Sequence, residues 1–298
     1  MMNKIEILAP VGSEENLKAA VLSGADAVYF GLSQFNARRN AQNFTDEQIE
    51  NAIKYCHSRG VKVHITLNTL IKDQEINALH NSIRKIANFG ADAVIVQDLG
   101  VAKSVREICP TLPMHASTQM SVGTLQGLYE LKEMGFTRAV LPRELSFSEI
   151  EYLCKHSPIE LEMFIHGALC MCVSGQCLMS AVLGSRSGNR GLCAQPCRLP
   201  FKTEKGTGHD LSLKDLSLIT HIKKLSDMGI CSFKIEGRMK RPEYVSACVT
   251  ACKKAINDEY NFDIEKDLHD LFSRSGFTDG YFESKISDPD GNNIEITE

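Results

Sequence analysis

Short apolar runs alternate with amphipathic stretches along the chain at a nearly constant spacing. Residues 5–9 are an apolar run that breaks at Val11-Gly12-Ser13, and Ser13 is placed to cap a helix over 14–22 that a glycine then ends. A second run at 27–30 closes with Gly31. From Thr45, with Glu47 close behind it, a helix to about residue 58 carries Ile49, Ala52, Ile53 and Cys56 at helical spacing, and a strand follows at 61–67. The same grammar predicts helix 74–88 before the segment GADAVIVQD at 90–98, helix 101–108 before strand 114–118, and helix 122–133 before strand 138–142. Ser146 can cap a helix to residue 154, before strand 159–165. An eighth run, 232–235, lies between helices predicted over 213–227 and 242–257.

Eight short apolar strands with helices between them are the count for a TIM-type (β/α)8 barrel. A doubly wound open sheet is the competing architecture, because local periodicity does not show closure. Gly24, Gly60, Gly90, Gly135 and Gly229 stand just before strands, where a left-handed residue can end each helix. GADAVYF at 24–30 and GADAVIV at 90–96 repeat the βα unit without requiring duplicated domains. The expected organisation is a barrel over 1–260 that includes an insertion at 167–210, followed by a short C-terminal extension at 261–298 that is either natural or truncated.

That insertion interrupts the pattern. It follows the seventh strand and is rich in Cys, Gly, Ser and Arg, reading HGALCMCVSGQCLMSAVLGSRSGNRGLCAQPCRLPF from His166 to Phe201. So long an irregular segment in a compact repeat points to function, and in a barrel it leaves the face that carries catalysis. Soft thiolates converging from two loop segments can hold zinc or an iron–sulfur cluster. The expected ligands are Cys170, Cys177, Cys193 and Cys197, with Cys172 in reserve. Their wide, uneven spacing differs from paired C-x2-C knuckles, which favours iron–sulfur over zinc; free or catalytic thiols are the alternative to any metal.

Composition adjusts this picture. The chain has 298 residues, 33 basic against 37 acidic, and a net charge of -4, so it has no global attraction to nucleic acid. No run reaches the ~20 apolar residues of a membrane span, and the start lacks a secretory signal, so a cytoplasmic protein without membrane insertion is expected. In that compartment eleven cysteines are not a disulfide framework. Cys56, Cys109, Cys154, Cys248 and Cys252 read as buried small hydrophobes. Cys231 begins the eighth strand and should lie at the far end of the barrel from the chemistry.

Strand ends supply further candidates: Asn68, Gln97 and Asp98, Ser117 and Gln119, Arg143 and Glu144, His166, and Glu236 with Arg238. Polar groups leaving adjacent strands converge on one substrate. His166 is otherwise a loop tie, and Glu236–Arg238 otherwise a structural ion pair. His64 and His115 lie within strands, facing either the barrel or its helices. Arg186, Arg190, Arg198 and Lys202, joined by Arg238, Lys240 and Arg241, can embrace RNA phosphates if the two segments meet beside the cysteines; a solvated loop face is the plain alternative. There is no GxGxxG, P-loop, HExxH or GxSxG pattern.

ILAPVGSEENLKAAVLSGADAVYFG at 7–31, LPRELSFSEI at 141–150, EMFIHGALCMCVSGQCLMS at 162–180, GLCAQPCR at 191–198 and FKIEGRMKRPEYV at 233–245 resemble the peptidase U32 family. The resemblance runs from the first barrel strand to the last. It implies either proteolysis, collagenase-like in some members, or iron–sulfur proteins of oxygen-independent hydroxylation. Members of the latter kind modify tRNA uridine or rRNA cytidine with prephenate as hydroxyl source, or act in ubiquinone synthesis. It places cluster ligands on Cys170, Cys177 and Cys193, with Cys197 the natural fourth in the GxCxQPCR form. The preferred expectation is a 4Fe-4S protein, zinc being the alternative metal, that hydroxylates a tRNA or rRNA pyrimidine. His166, Glu236 and Arg238 would serve in catalysis, and Asn68, Gln119, Arg143, Glu144, Arg190, Arg198 and Lys240 in substrate binding. A peptidase and a non-catalytic metal scaffold are the alternatives. RNA-modifying relatives extend beyond the barrel, so a second U32-family subunit is an expected partner in substrate capture.

Overall fold

The structure, a computed structural model, describes residues 5–38, 43–204, 206–282, 285–287 and 293–295. The first four residues of the expected barrel and positions 283–284, 288–292 and 296–298 of the expected extension lie outside the described residues.

Strands β1 (Glu6–Pro10), β2 (Ala27–Gly31), β3 (Lys62–Leu67), β4 (Ala93–Val96), β5 (Met114–Ala116), β6 (Phe136–Val140) and β7 (Glu160–Ala168) pair in sequence order. The eighth barrel strand, β11 (Ile230–Ile235), pairs in parallel with both β7 and β1 and closes the ring. Crossover helices α1 (Glu14–Leu22), α2 (Asp46–His57), α3 (Ile76–Phe89), α4 (Leu99–Ile108), α5 (Leu125–Glu133) and α6 (Phe147–His156) surround it. The expected caps form: Ser13 accepts from the Asn16 amide, while Thr45 and Ser146 head reciprocal capping boxes.

The barrel has two unlike faces. Outward residues such as Ile7, Val28, Phe30, Val63, Ile65, Met163 and Phe233 join the helices in one extended apolar core. Inside, Leu8, Ala27, Tyr29 and Ile95 form a small separate cluster. Around it the interior is charged. Arg138 reaches Glu6 at 2.5 Å, Glu160 at 2.8 Å and Glu162 at 3.2 Å, Lys234 reaches Glu162 at 3.0 Å, and Ser232 donates to Glu6 at 2.9 Å. Buried charges persist only when paired in this way.

The structure corrects the helix expected over 213–227. Here β10 (Asp215–Ser217) lies antiparallel to the end of β7, and helix begins only at a 3-10 turn, Ile219–His221, that leads into α8 (Ile222–Met228). Leu216 and Leu218 are buried two residues apart, which is strand spacing, and β7 runs past the expected residue 165 to offer a free edge. After α9 (Pro242–Ile256) and α10 (Phe262–Leu271), β12 (Phe277–Thr278) pairs with β10, so the start of the extension is part of the same sheet. The insertion itself holds helix α7 (Met179–Gly184) and the hairpin β8 (Phe201–Thr203)–β9 (Gly206–Gly208).

Candidate active site at the barrel mouth

Glu236 leaves the end of β11 into a ring of guanidinium groups. Arg38, from the loop after β2, pairs with it at 2.9 Å, and Arg143, after β6, stands at 3.7 Å. Arg238 is held apart from Glu236, donating to Thr66 Oγ1 at 3.1 Å and Asn36 Oδ1 at 3.4 Å. The alternative reading of Glu236 and Arg238 as a structural ion pair is not met, since Glu236 pairs with Arg38 and Arg143 instead. The close approach of two loops fixes this arrangement: a Cβ on Gly12 would fall 1.9 Å from the Arg238 carbonyl oxygen, so only glycine fits there. Burial alone would raise the Glu236 pKa; Arg38, Arg143 and Arg238 overcome it and hold the carboxyl at about 2. Burial lowers Arg238 to about 10. Tyr29, buried beneath, donates to the Ile235 carbonyl at 2.8 Å.

The cysteine loop lies beside this ring. Arg143 Nη1 is 3.8 Å from Cys170 Sγ, and its guanidinium stacks 4.0 Å over Phe164. Cys193 Sγ accepts from the Gln195 amide at 3.3 Å and from Ser180 Oγ at 3.8 Å. Burial raises the Cys197 pKa; Arg198 opposes this, while Cys170, Cys193 and Cys177 add to it, which places all four expected ligands in one electrostatic neighbourhood. Cys172 interacts with Cys177 and Cys170 in the same group. Among the described residues, no three cysteine sulfurs lie within 4.8 Å of one another.

The remaining expected site residues anchor the loop more than they line the ring. Glu144 accepts from the Ser174 amide and hydroxyl at 2.8 and 3.0 Å. Gln119 lies under Gly175, whose φ is +77° and whose added Cβ would come 2.2 Å from the Gln119 carbonyl oxygen. Arg190 forms a fork on Glu75 at 2.7 and 2.9 Å and donates to the Leu70 carbonyl at 2.8 Å. Arg198 donates to Ser212 Oγ, to the Leu213 carbonyl and to the Leu169 carbonyl. Asn68 accepts from the Ala37 amide at 3.0 Å, steadying the loop that carries Arg38. Asp98 caps α4, and Ser117 accepts from the Gln119 amide. Lys240 lies against the Phe272 ring, lowered to about 8 by burial and by Arg274. Arg186 donates to the Leu192 carbonyl, and Lys202 and Arg241 are exposed.

His166 does not join the ring. The register shifts between Lys234↔Phe164 and Ile235↔His166, which turns its side chain to the face that Ile235 shares. There it is 1% exposed, 3.2 Å from Ser217 Oγ and packed between Tyr244 and Phe277, with burial lowering it to about 4.

His64 and His115 face the barrel interior, their rings 4.8 Å apart, and with Glu162 they bring three donor atoms within 4.8 Å of one another. Both Glu162 oxygens already accept from Lys234 and Arg138, so a divalent cation there would meet two positive charges in a desolvated space. Cys231 lies at the opposite end, 3.2 Å from the Leu161 carbonyl, as expected of a residue outside the cysteine site.

Sequence reasoning missed Arg38, Asn36, Thr66 and Tyr29. Thr66 and Tyr29 are inward positions on strands already assigned. Arg38 and Asn36 sit in a loop whose course only the tertiary structure shows.

Comparison with known proteins follows this geometry. The profile of Peptidase family U32 matches residues 12–291. The chain is 36% identical over 281 residues to "tRNA hydroxylation protein P1" of Bacillus subtilis, covering 89% of this chain and 67% of that one. It is 39% identical over 250 residues to a "23S rRNA 5-hydroxycytidine synthase" of Escherichia coli, covering 82% of this chain but only 38% of the relative. It is 36% identical over 310 residues to a "Collagenase" of Porphyromonas gingivalis, covering 94% of this chain and 74% of that one. A solved U32 peptidase superposes with a TM-score of 0.53 at 14% identity over 79% of this chain and 94% of that one, a likeness of fold.

Proposed function

The chain belongs to peptidase family U32, and from that premise we propose that it acts in oxygen-independent hydroxylation of a tRNA or rRNA pyrimidine, with prephenate as hydroxyl source. A 4Fe-4S cluster on Cys170, Cys177, Cys193 and Cys197 completes the proposal. One observation carries it: three guanidinium groups, those of Arg38, Arg143 and Arg238, surround the single carboxylate of Glu236 directly beside the cysteine loop. The ring has room in its charge balance for a dianion, and prephenate carries two carboxylates.

The donor set suits the cluster. It offers only soft sulfur ligands, a backbone N–H already directed at Cys193, and an arginine at Cys170. A tetrahedral zinc site with Zn–S bonds of about 2.3 Å would draw the sulfurs to about 3.8 Å apart, closer than any three of them stand here. When bound, the cluster supplies redox chemistry or a rigid organising centre. This chain's residues do the rest. Arg38, Arg143 and Arg238 bind and orient carboxylates. Glu236, held near pKa 2, is a weak base, so its role is to orient a hydroxyl or amide donor rather than to remove a proton. The phosphates of the RNA fall to exposed Lys202, Arg241 and the outer edge of Arg186, since Arg190 and Arg198 are engaged within the loop. The chain spans 67% and 38% of the length of the two RNA-modifying relatives; a second U32-family subunit is proposed to share RNA capture because this chain is net acidic and leaves few basic groups free for phosphates.

The collagenase relative favours a second reading, peptide hydrolysis. Ser217 and His166 stand at the distance of a nucleophile–base pair, but His166 is 1% exposed and packed against the Tyr244 and Phe277 rings, closed to a peptide carbonyl. The deciding experiment is anaerobic purification with iron and acid-labile sulfide analysis, followed by mass spectrometry of undermodified RNA incubated with and without prephenate. Iron and sulfide lost in Cys170→Ser and Cys193→Ser, with hydroxylation lost in Arg238→Gln, is the expected result. Stoichiometric zinc with peptide cleavage would overturn the proposal in favour of the second reading.

A further inference from the structure

Among the guanidinium groups of the mouth, Arg143 is held differently from the other two. Arg38 closes on Glu236 at 2.9 Å, and Arg238 is fixed by Thr66 at 3.1 Å and Asn36 at 3.4 Å. Arg143 stands between two acceptors at longer range, 3.7 Å from Glu236 Oε2 and 3.8 Å from Cys170 Sγ, and its buried Nε has no hydrogen-bond partner. Its place is set by the face of Phe164, 4.0 Å away, over which a planar guanidinium slides without losing the stacking contact. A charged donor with only 10% side-chain exposure, two long contacts and one unused N–H is placed to respond to an arriving acceptor.

We propose that Arg143 is a positioning residue that couples occupancy of the anion pocket to the cysteine centre. The inference rests on the reading of both sites given above. An acid group entering the ring competes with Glu236 for the Nη atoms of this guanidinium, and the turn of the fork lets the unpartnered Nε–H find an acceptor. The movement lengthens the contact to Cys170 and withdraws positive charge from the sulfur. A thiolate-bound centre then loses stabilisation of its more negative, reduced form, so its reduction potential falls when the pocket fills. Coupling of this kind is reciprocal: oxidation of the centre leaves Arg143 freer and tightens anion binding by the same factor. Arg38 also feels the charge of Cys170, but its 2.9 Å bond to Glu236 holds it in place, and Arg238 is tied to Thr66 and Asn36, so neither moves as Arg143 does.

The test uses the anaerobically purified protein. Iron content is measured first, then prephenate binding by calorimetry, then the midpoint potential with and without saturating prephenate, with malonate as a generic dicarboxylate. In the wild type the potential is expected to fall on binding. In Arg143→Gln the resting potential is already lower and prephenate lowers it much less than in the wild type, by the direct field of the anion alone, although the anion still binds through Arg38 and Arg238 with less than a tenfold loss. Arg143→Lys keeps the charge but not the fork and restores part of the response, which separates coupling from misfolding. A potential that responds equally in the wild type and Arg143→Gln, or fails to respond in a wild type that binds prephenate, overturns the coupling and leaves the proposed function standing. Protein without iron, or with no affinity for either dicarboxylate, overturns both.

Discussion

Two charged clusters share the barrel interior, and they differ in balance. In the lower one, Glu6, Glu160 and Glu162 meet Arg138 and Lys234, with Lys62 at 3.7 Å from Glu6; every charge has a partner of opposite sign. In the upper one, Arg38, Arg143 and Arg238 surround the lone carboxylate of Glu236. Both hold ionised groups where water is scarce, though Glu160 and Lys62 at the rim of the lower one are more than half exposed. The balanced cluster replaces the branched aliphatic layers common in such barrels and holds strands β1, β6, β7 and β11 together. The unbalanced one keeps an unmet demand for negative charge, and a buried surplus of one sign marks a binding site more securely than a perturbed pKa in either cluster.

The lower cluster should dominate stability. Glu162→Gln removes the carboxylate shared by Lys234 and Arg138, groups with only 5% and 7% side-chain exposure. Stranding the buried Lys234, while Arg138 keeps Glu6 and Glu160, is expected to cost about 3–5 kcal/mol in urea unfolding. A loss below about 1 kcal/mol would show that the cluster is not the staple described here.

The next effect is acid sensitivity. Burial lowers His64 and His166 to about 4 and also holds His115 well below the ordinary histidine range. Each folded value lies below the unfolded one, so protons favour the unfolded chain. Stability is complete above about pH 6.5 and falls between there and pH 4, on the order of 3 kcal/mol each for His64 and His166. The Glu162 and Glu236 carboxyls, also lowered, add their loss only below about pH 4.5. His64→Gln should flatten the first part of the unfolding curve against pH; an unchanged slope would remove His64 from the account.

The upper cluster should separate binding from stability. Arg38→Gln leaves the buried Glu236 still compensated by Arg143 and Arg238 and relieves repulsion among the three cations, so unfolding should change far less than the roughly 3–5 kcal/mol of an uncompensated buried charge. Prephenate affinity should fall at least tenfold, about 1.4 kcal/mol. Equal losses in both measurements would make this ring structural, as the lower cluster is.

The two clusters were also unequally legible in the sequence. The barrel strands could be read because each is a short apolar run bounded by glycine and a capping residue, as at Ser13, Thr45 and Ser146. Glu236, Arg238 and Arg143 could be read because they follow strands directly. Arg38 could not, since nothing local distinguishes it from the solvated arginines of any loop. His166 was misplaced for a different reason: strand periodicity puts it on the inner face, and the register shift opposite Lys234 and Ile235 moves it to the outer one. The segment 213–227 failed as a helix because the free edge of β7 recruits Asp215–Ser217, a choice that depends on a strand far away in sequence.

The smallest effect concerns the latch that holds the cysteine loop over the mouth. Arg190 reaches Glu75 with both Nη atoms, and the Leu70 amide donates to the Asn189 carbonyl at 3.1 Å, tying the insertion to the loop after β3. The Arg190 hydrogen bond, with backbone support from Lys72, lowers Glu75 to about 2, yet the pair is 26% and 31% exposed and therefore well screened. Glu75→Gln should cost less than about 1 kcal/mol globally. Its effect should be local, because the Arg190 contact to the Leu70 carbonyl persists. Hydrogen exchange at the Leu70 amide should quicken by no more than about fivefold, the factor that 1 kcal/mol allows, while amides in β7 and β11 stay protected. If exchange instead quickened across the insertion and the upper ring together, the latch would belong to the mouth, and the charge surplus there would depend on a closed loop and not on the three arginines alone.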